Sequence, residues 1–176
     1  MDEGRSCGDC SLCCKLLGVE AIDKPAGSWC GHFHRGRGCS VYETRPAACA
    51  TFNCLWLSSP GLDERWLPDR SHLVLFTEQD GRRLTVVVDP SDPLAWRREP
   101  FYSRIKAMSQ RAADGYELLI STGDRRAVVF PDQDIDLGLV DPSHKIISGY
   151  ADRDGARVPF AMVLSDVADA TVIPGP

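Results

Sequence analysis

The sequence predicts an α+β fold: an irregular, short-helical, cysteine-rich N-terminal part, followed by antiparallel β-hairpins with one main helix. Three observations support this prediction. All eight cysteines lie in the first third of the 176 residues. Three later pairs of β-type segments are each separated by a glycine-containing turn signal. One stretch between the first two pairs has apolar residues at helical spacing.

Each predicted hairpin consists of two apolar or β-branched runs that flank a tight turn. The pairs and their turns are 72–78 and 84–89 around Asp80-Gly81, 116–122 and 127–130 around Gly123-Asp124, and 145–151 and 157–164 around Asp154-Gly155. Such dipeptides favour the left-handed backbone of two-residue hairpin turns. Antiparallel pairing is therefore expected within each pair.

The main helix is predicted between the first two hairpins. Asp92 suits an N-cap and Pro93 the first helical position, whereas Gly115 suits the end. Pro100 is expected to break or kink the stretch. Four apolar residues then fall on one helical face: Phe101, Ile105, Met108 and Ala112. This stripe is expected to pack against the sheet.

Cysteine content and charge divide the chain into residues 1–58 and 59–176. The first region has every cysteine and balances six basic against six acidic side chains. The second has fourteen basic and nineteen acidic side chains and so carries the whole net charge of −5. We predict a cysteine-rich region followed by an α+β region, which either packs with the first as one domain or stands beside it.

Composition favours a globular cytoplasmic protein. The chain is 43% hydrophobic and 26% charged. It has no apolar run of about 18 residues that could span a membrane, and its start resembles no secretory signal. The net charge gives no reason to expect nucleic-acid binding. In a reducing cytosol, eight cysteines indicate metal ligation or redox chemistry rather than disulfides.

The first four cysteines form the motif Cys7-x2-Cys10-x2-Cys13-Cys14. Two-residue spacing lets two thiolates reach one metal ion, as in zinc and iron–sulfur sites. A short helix over residues 11–17 would place the later cysteines of this motif on one face. Because neighbouring side chains rarely converge, Cys13 and Cys14 either serve two metals or one of them lies outside the coordination shell.

The other four cysteines are separated by eight, nine and four residues: Cys30, Cys39, Cys49 and Cys54. None of these gaps is a metal knuckle, so the fold must gather them. A helix is expected over residues 45–57, with Pro46 in its first turn. Eight ligands suit two four-coordinate sites, or one cluster with spare thiols. The spacing does not decide between zinc and an iron–sulfur cluster.

The cysteine-rich region resembles the CxxCxxCC family, the YkgJ-type zinc- or iron-chelating proteins. The matching stretches are Cys7–Cys14, Lys24–His32, Gly38–Pro46 and Cys49–Trp56. The resemblance implies a metal-binding domain with up to eight cysteine ligands and no particular activity. Some members are called iron–sulfur oxidoreductases, and flagellin lysine methylases carry a similar domain.

Several neighbours of the cysteines are secondary candidates. His32 could replace a thiolate in a Cys3His site or lie outside the ligand set. Arg45 could offset thiolate charge or be an exposed arginine at a helix start. The aromatic residues Tyr42, Phe52 and Trp56 are expected to pack over the site and exclude water.

These observations predict a metal-binding protein whose partners are a metal ion and, as a further candidate, another protein. No nucleic acid or membrane is expected. Two alternatives stay open: an iron–sulfur redox or electron-transfer protein, suggested by the ferredoxin-like spacing, and metal storage, delivery or sensing, suggested by the surplus of thiols. We identify no catalytic residue and no nucleotide-binding loop.

Overall fold

The structure, a computed structural model, has the predicted α+β class. The residues it describes are 5–7, 9–165 and 171–174. Within them, one main helix and several short helices accompany strands paired in antiparallel hairpins. No helix of the described residues is both long and apolar enough to cross a membrane.

The chain folds into two compact units. The first comprises residues 1–76 and 87–96, and the second comprises residues 77–86 and 97–176. The boundary predicted between the cysteine-rich and α+β regions stays a prediction. The ends of those regions, at residues 1–4 and 175–176, lie outside the described residues.

The first unit consists mainly of short helices. Its elements are α1 (Leu12–Leu16), β1 (Phe33–His34), β2 (Gly38–Cys39), α2 (Ala47–Thr51), α3 (Leu55–Ser58) and α4 (Pro68–Ser71). The helix predicted over residues 11–17 is confirmed as α1. It buries Leu12 and Leu16, one turn apart, and the unit also buries Trp56 and Trp66.

The helix predicted over residues 45–57 is interrupted. Pro46 precedes α2, and the chain turns extended at Phe52 before α3 begins. The Thr51 hydroxyl donates to the Ala47 carbonyl at 2.9 Å, and the Asn53 amide donates to the Thr51 carbonyl at 3.3 Å. These side-chain bonds compete with the helical ladder, which explains two short helices instead of one.

The main sheet has the strand order β3-β4-β5-β6-β7. Its strands are β3 (Leu73–Glu78), β4 (Arg83–Val88), β5 (Glu117–Thr122), β6 (Arg125–Val129) and β7 (Asp134–Leu139). At the first predicted hairpin, Gln79, Asp80 and Gly81 all have positive φ. The turn therefore starts one residue before the predicted Asp80-Gly81 pair.

The second and third predicted hairpins are confirmed. Thr122 pairs with Arg125 across Gly123-Asp124. In the third, β8 (Lys145–Arg153) pairs with β9 (Ala156–Leu164) around Asp154 and Gly155. These two turn residues have φ of 51° and 82°, the left-handed values of a tight hairpin turn.

Besides the two-residue strands β1 and β2, two longer strands were not predicted, β7 and β10 (Thr171–Pro174). β7 pairs antiparallel with β6, and β10 with β9. Neither strand is joined to its partner by a two-residue turn, the feature that predicts the other hairpins. In β7 the buried Ile135 and Leu137 alternate with more exposed neighbours, and this period of two was present in the sequence.

The main helix, α5 (Phe101–Ser109), begins after Pro100 and not at Pro93 as predicted. A 3-10 turn over Gln110–Asp114 extends it, and Gly115 closes it with φ of 80°. The later start is explained by Pro100, which excludes the preceding residue from helical geometry. The predicted apolar face is confirmed at Ile105 and Ala112, both buried.

The core of the second unit lies among α5, its 3-10 extension and the hairpins. Its buried members include Leu119, Val128, Phe130, Ile135 and Ala161. The Phe130 and Tyr150 rings meet edge to face, 5.4 Å between centroids. No cysteine lies in this unit.

Candidate metal centre

Arg5, just before the cysteine motif, contacts α3. Arg5 donates from Nη1 to the carbonyls of Trp56 and Ser59 at 2.7 and 2.9 Å. Its guanidinium also lies 4.9 Å from the centroid of the Trp56 ring. Since Cys54 is the N-cap of α3, these contacts bring Cys7 near Cys54 although they are far apart in sequence.

A turn places the next cysteines at the start of α1. The backbone N–H of Cys10 donates to the Cys7 carbonyl at 2.8 Å. The N–H of Ser11 donates to both carboxylate oxygens of Asp69, at 3.2 and 3.1 Å. Asp69 belongs to α4, so this contact anchors the turn within the first unit.

The thiols of the Cys7–Cys14 motif and of Cys54 influence one another's pKa. Partial desolvation by the surrounding protein, reinforced by Cys54 and Cys14, raises the pKa of Cys7 although this residue is exposed. Burial also raises the pKa of Cys10 to about 11. A hydrogen bond to Cys14, together with burial, raises the pKa of Cys13. We call Cys7, Cys10, Cys13 and Cys54 the first cysteine group.

Cys14 has a different environment from its neighbour. The hydrogen bond from Cys13 lowers the pKa of Cys14 to about 7. The Cys14 carbonyl accepts the N–H of Cys30 at 3.0 Å, which joins two segments separated by fifteen residues. Cys14 thus lies between the first group and the cysteines that follow.

The β1–β2 hairpin carries the chain from Cys30 to Cys39. The N–H of Phe33 donates to the Cys30 carbonyl at 3.0 Å, and Phe33 is the cross-strand partner of Cys39. Burial raises the pKa of Cys49, and Cys14, Cys30 and Cys39 add to this effect. We call Cys14, Cys30, Cys39 and Cys49 the second cysteine group.

Lys24 is a buried lysine beside the second group, with 8% of its surface exposed. Its ammonium donates to the carbonyls of Lys15 and Pro25, each at 3.1 Å, and to that of Leu17. Burial lowers the pKa of Lys24, and the nearby thiols, Cys30 foremost, oppose this effect. Lys24 therefore brings a positive charge close to sulfur atoms that can ionise.

Arg45 makes local contacts and also acts on the cysteines. It donates to the Tyr42 carbonyl at 2.6 Å, and its guanidinium lies 3.9 Å from the centroid of the Tyr42 ring. Its charge favours the thiolate form of Cys7 and Cys49, against the effect of burial. Of the two roles considered for Arg45, charge compensation therefore has support from the structure.

All eight cysteines are free thiols, Cys54 being buried and Cys7 exposed. In the described residues, no three His, Cys, Asp or Glu side chains form a group that could hold a metal ion as they stand. The fold thus gathers the cysteine backbones into one unit without arranging the sulfurs as a coordination shell. The assignment of all eight as ligands, and of His32 as an alternative, stays a prediction.

Two functional candidates were missed at the level of sequence, Lys24 and Asp69. Each influences the pKa of thiols in the centre. Lys24 lies inside one of the stretches that resemble the CxxCxxCC family, but its burial had no signal in the sequence. Asp69 is brought to the motif only by the fold, from a position 58 residues away from Ser11.

Comparison with protein-family models, with curated proteins and with solved structures finds no match to this chain. The resemblance to the CxxCxxCC family consequently rests on the cysteine motif and its flanking stretches alone.

Proposed function

We propose that this protein binds zinc or iron through cysteine thiolates of its first unit, as the CxxCxxCC family does. The observation that carries the proposal is the gathering of cysteine-bearing segments that are distant in sequence. The Cys30–Cys14 backbone hydrogen bond joins two of these segments, and the Arg5 contacts with α3 join two others.

Electrostatics gives this gathering a chemical reason. Desolvation and mutual repulsion raise the pKa of Cys7, Cys10 and Cys49. Forming several thiolates close together therefore costs free energy unless positive charge is added. A bound divalent cation supplies that charge and keeps its thiol ligands deprotonated. Lys24 and Arg45 contribute part of this positive charge.

The two cysteine groups suit two four-coordinate centres better than one centre with spare thiols. Each group would contain four cysteines. Cys14 is hydrogen-bonded to Cys13 and raises the pKa of both Cys7 and Cys49, so it lies at the junction of the two groups. Its place in the second group is part of the proposal, and it lets Cys13 and Cys14 bind different metals. Tetrathiolate coordination is compatible with zinc and with a cubane iron–sulfur cluster.

A redox role is the second candidate. It is favoured by the exposure of Cys7, since a cluster that exchanges electrons with a partner must lie near the surface. We place the protein in the cytoplasm, because eight free thiols suit a reducing compartment.

Metal analysis of the protein purified without oxygen tests the proposal. We expect about two zinc ions per chain in colourless protein, or iron and sulfide with broad visible absorption. Cys10→Ser and Cys30→Ser, one from each group, are each expected to lower the metal content by about half. Ala50→Ser, at an exposed position beside Cys49, should leave it unchanged.

Two results would contradict the proposal. One is protein that contains neither zinc nor iron after anaerobic purification. The other is an unchanged metal content in both cysteine variants. The absorption spectrum of the same sample separates the two metals, since zinc is redox-inert and colourless whereas an iron–sulfur cluster is not.

A further inference from the structure

The segment of residues 29–45 displays large side chains that the first unit leaves exposed. Trp29 is 50% exposed. Tyr42, which was expected to pack over the cysteines and exclude water, is instead 53% exposed. Arg35 and Arg37, in the turn between β1 and β2, are also exposed. Isolated exposed aromatic residues are common, but here two of them flank an arginine-bearing hairpin.

Local contacts hold this segment in place. The Trp29 ring stacks on Phe33 with 4.6 Å between centroids. The N–H of Ser40 donates to the His32 carbonyl at 2.8 Å, closing the hairpin. Arg45 is held over Tyr42 by its bond to the Tyr42 carbonyl. Side chains that are already ordered lose less entropy when they bind a partner.

The segment also differs in charge from the rest of the chain. It contains three arginines and one glutamate, Glu43, for a net charge of +2. Since the whole chain carries −5, the remaining residues carry −7. In the described part of the chain, neither Arg35 nor Arg37 forms an ion pair with a carboxylate. Both charges are available to a ligand.

Tryptophan, tyrosine and arginine are the residue types that most often dominate the binding energy of protein interfaces. We propose that the 29–45 segment is a docking surface for a short acidic segment of another protein. The arginines would meet its carboxylates, and Trp29 and Tyr42 would cover its apolar side chains.

Charge favours an acidic peptide over other anionic partners. A long nucleic acid would extend beyond the segment and meet the negative remainder of the chain, which repels it. Anionic membranes are usually bound by clusters of four to eight basic residues, more than this segment offers. A short acidic stretch can contact the arginines without spanning the negative remainder of the chain.

The proposal does not depend on the metal chemistry. Cys30 and Cys39 lie within the segment, so a docked partner would contact the protein beside the second cysteine group. A docking variant should nevertheless keep its metal content, and a metal-site variant that stays folded should keep docking.

The test uses the full-length protein and a fluorescein-labelled peptide of four Glu-Glu-Leu repeats, followed by fluorescence anisotropy. We expect saturable binding that weakens as salt rises from about 50 to about 200 mM. R35E/R37E should weaken it about tenfold or more. The matched control R82E/R153E, at two exposed arginines of the second unit, should change it by less than about twofold.

A third variant separates a docking surface from a general charge effect. Trp29→Ala keeps the net charge and should also weaken peptide binding. Metal content and the far-ultraviolet circular dichroism spectrum show whether each variant is folded. The proposal is overturned by absent peptide binding, or by equal losses in R35E/R37E and the control. Tighter binding of a twelve-nucleotide oligothymidine or of phosphatidylserine vesicles would also overturn it.

Discussion

Lys24 and Asp89 are charged residues that the first unit buries, with 8% and 4% of their surfaces exposed. A buried charge is costly unless hydrogen bonds and opposite charges satisfy it. Lys24 meets three backbone carbonyls. Asp89 Oδ1 accepts from Lys15 Nζ at 2.7 Å and from the Ser91 N–H at 2.9 Å. Lys15 follows Cys14, so Asp89 helps to fix the end of the motif.

Asp89 should make the stability of the first unit depend on pH. Burial alone would raise the pKa of Asp89, but Lys15 and Ser91 outweigh it and lower the pKa. A carboxyl whose folded pKa lies below its unfolded value stabilises the fold above the unfolded pKa, about 4. That contribution is lost as the pH falls through the folded pKa.

We therefore expect Asp89→Asn to be less stable than the parent protein at neutral pH and to lose less stability on acidification. Urea unfolding followed by tryptophan fluorescence measures this, because all four tryptophans lie in the first unit: Trp29, Trp56, Trp66 and Trp96. Asp152→Asn, at an exposed position of the second unit, is the control. Equal acid sensitivity of the parent and Asp89→Asn would rule out this role.

The β8–β9 hairpin shows how two residues set the register of a whole element. Arg153 pairs with Ala156, and the pairing continues to Lys145 and Leu164. Gly155 has φ of 82° with open space where a Cβ would lie. A residue with a side chain at position 155 would therefore be strained by the left-handed backbone conformation, and its Cβ would not clash with neighbouring atoms.

Gly155→Ala should therefore destabilise the second unit by about 1 kcal/mol, the usual cost of a left-handed backbone for an L-residue. Gly149→Ala lies in the same hairpin without a positive φ, and its added Cβ would make an ordinary contact 3.5 Å from the Phe160 ring. We expect this control to change stability by less than about 0.5 kcal/mol. Urea unfolding followed by the β-sheet circular dichroism signal measures both, and equal losses would contradict the prediction.

At the scale of the whole molecule, the cysteines and tryptophans lie in the first unit, whereas the second unit contains α5 and the β8–β9 hairpin. Within the described part of residues 1–58, the buried apolar side chains are those of Leu12, Leu16, Cys54 and Trp56. Since this cysteine-bearing part has so small a core and relies on short helices, bound metal should contribute much of its stability. The second unit has a continuous apolar core of its own.

Metal removal should accordingly affect the two units differently. Treatment with a chelator is expected to destabilise the first unit by about 3 kcal/mol or more, as measured by tryptophan fluorescence. The β-sheet circular dichroism transition of the second unit should move much less. Restoring the metal should reverse the change, and a chelator-insensitive fluorescence transition would contradict a stabilising metal.

The sequence by itself determined the α+β class, two hairpin turns and the apolar face of α5. These features are local: a turn dipeptide needs a particular φ, and a helical face follows from the spacing of a few neighbours. The tertiary structure decided the pairing of β7 with β6 and of β10 with β9, and the burial of Lys24. It also brought together cysteine segments that are distant in sequence, since such proximity depends on packing and on backbone hydrogen bonds such as Cys30 to Cys14.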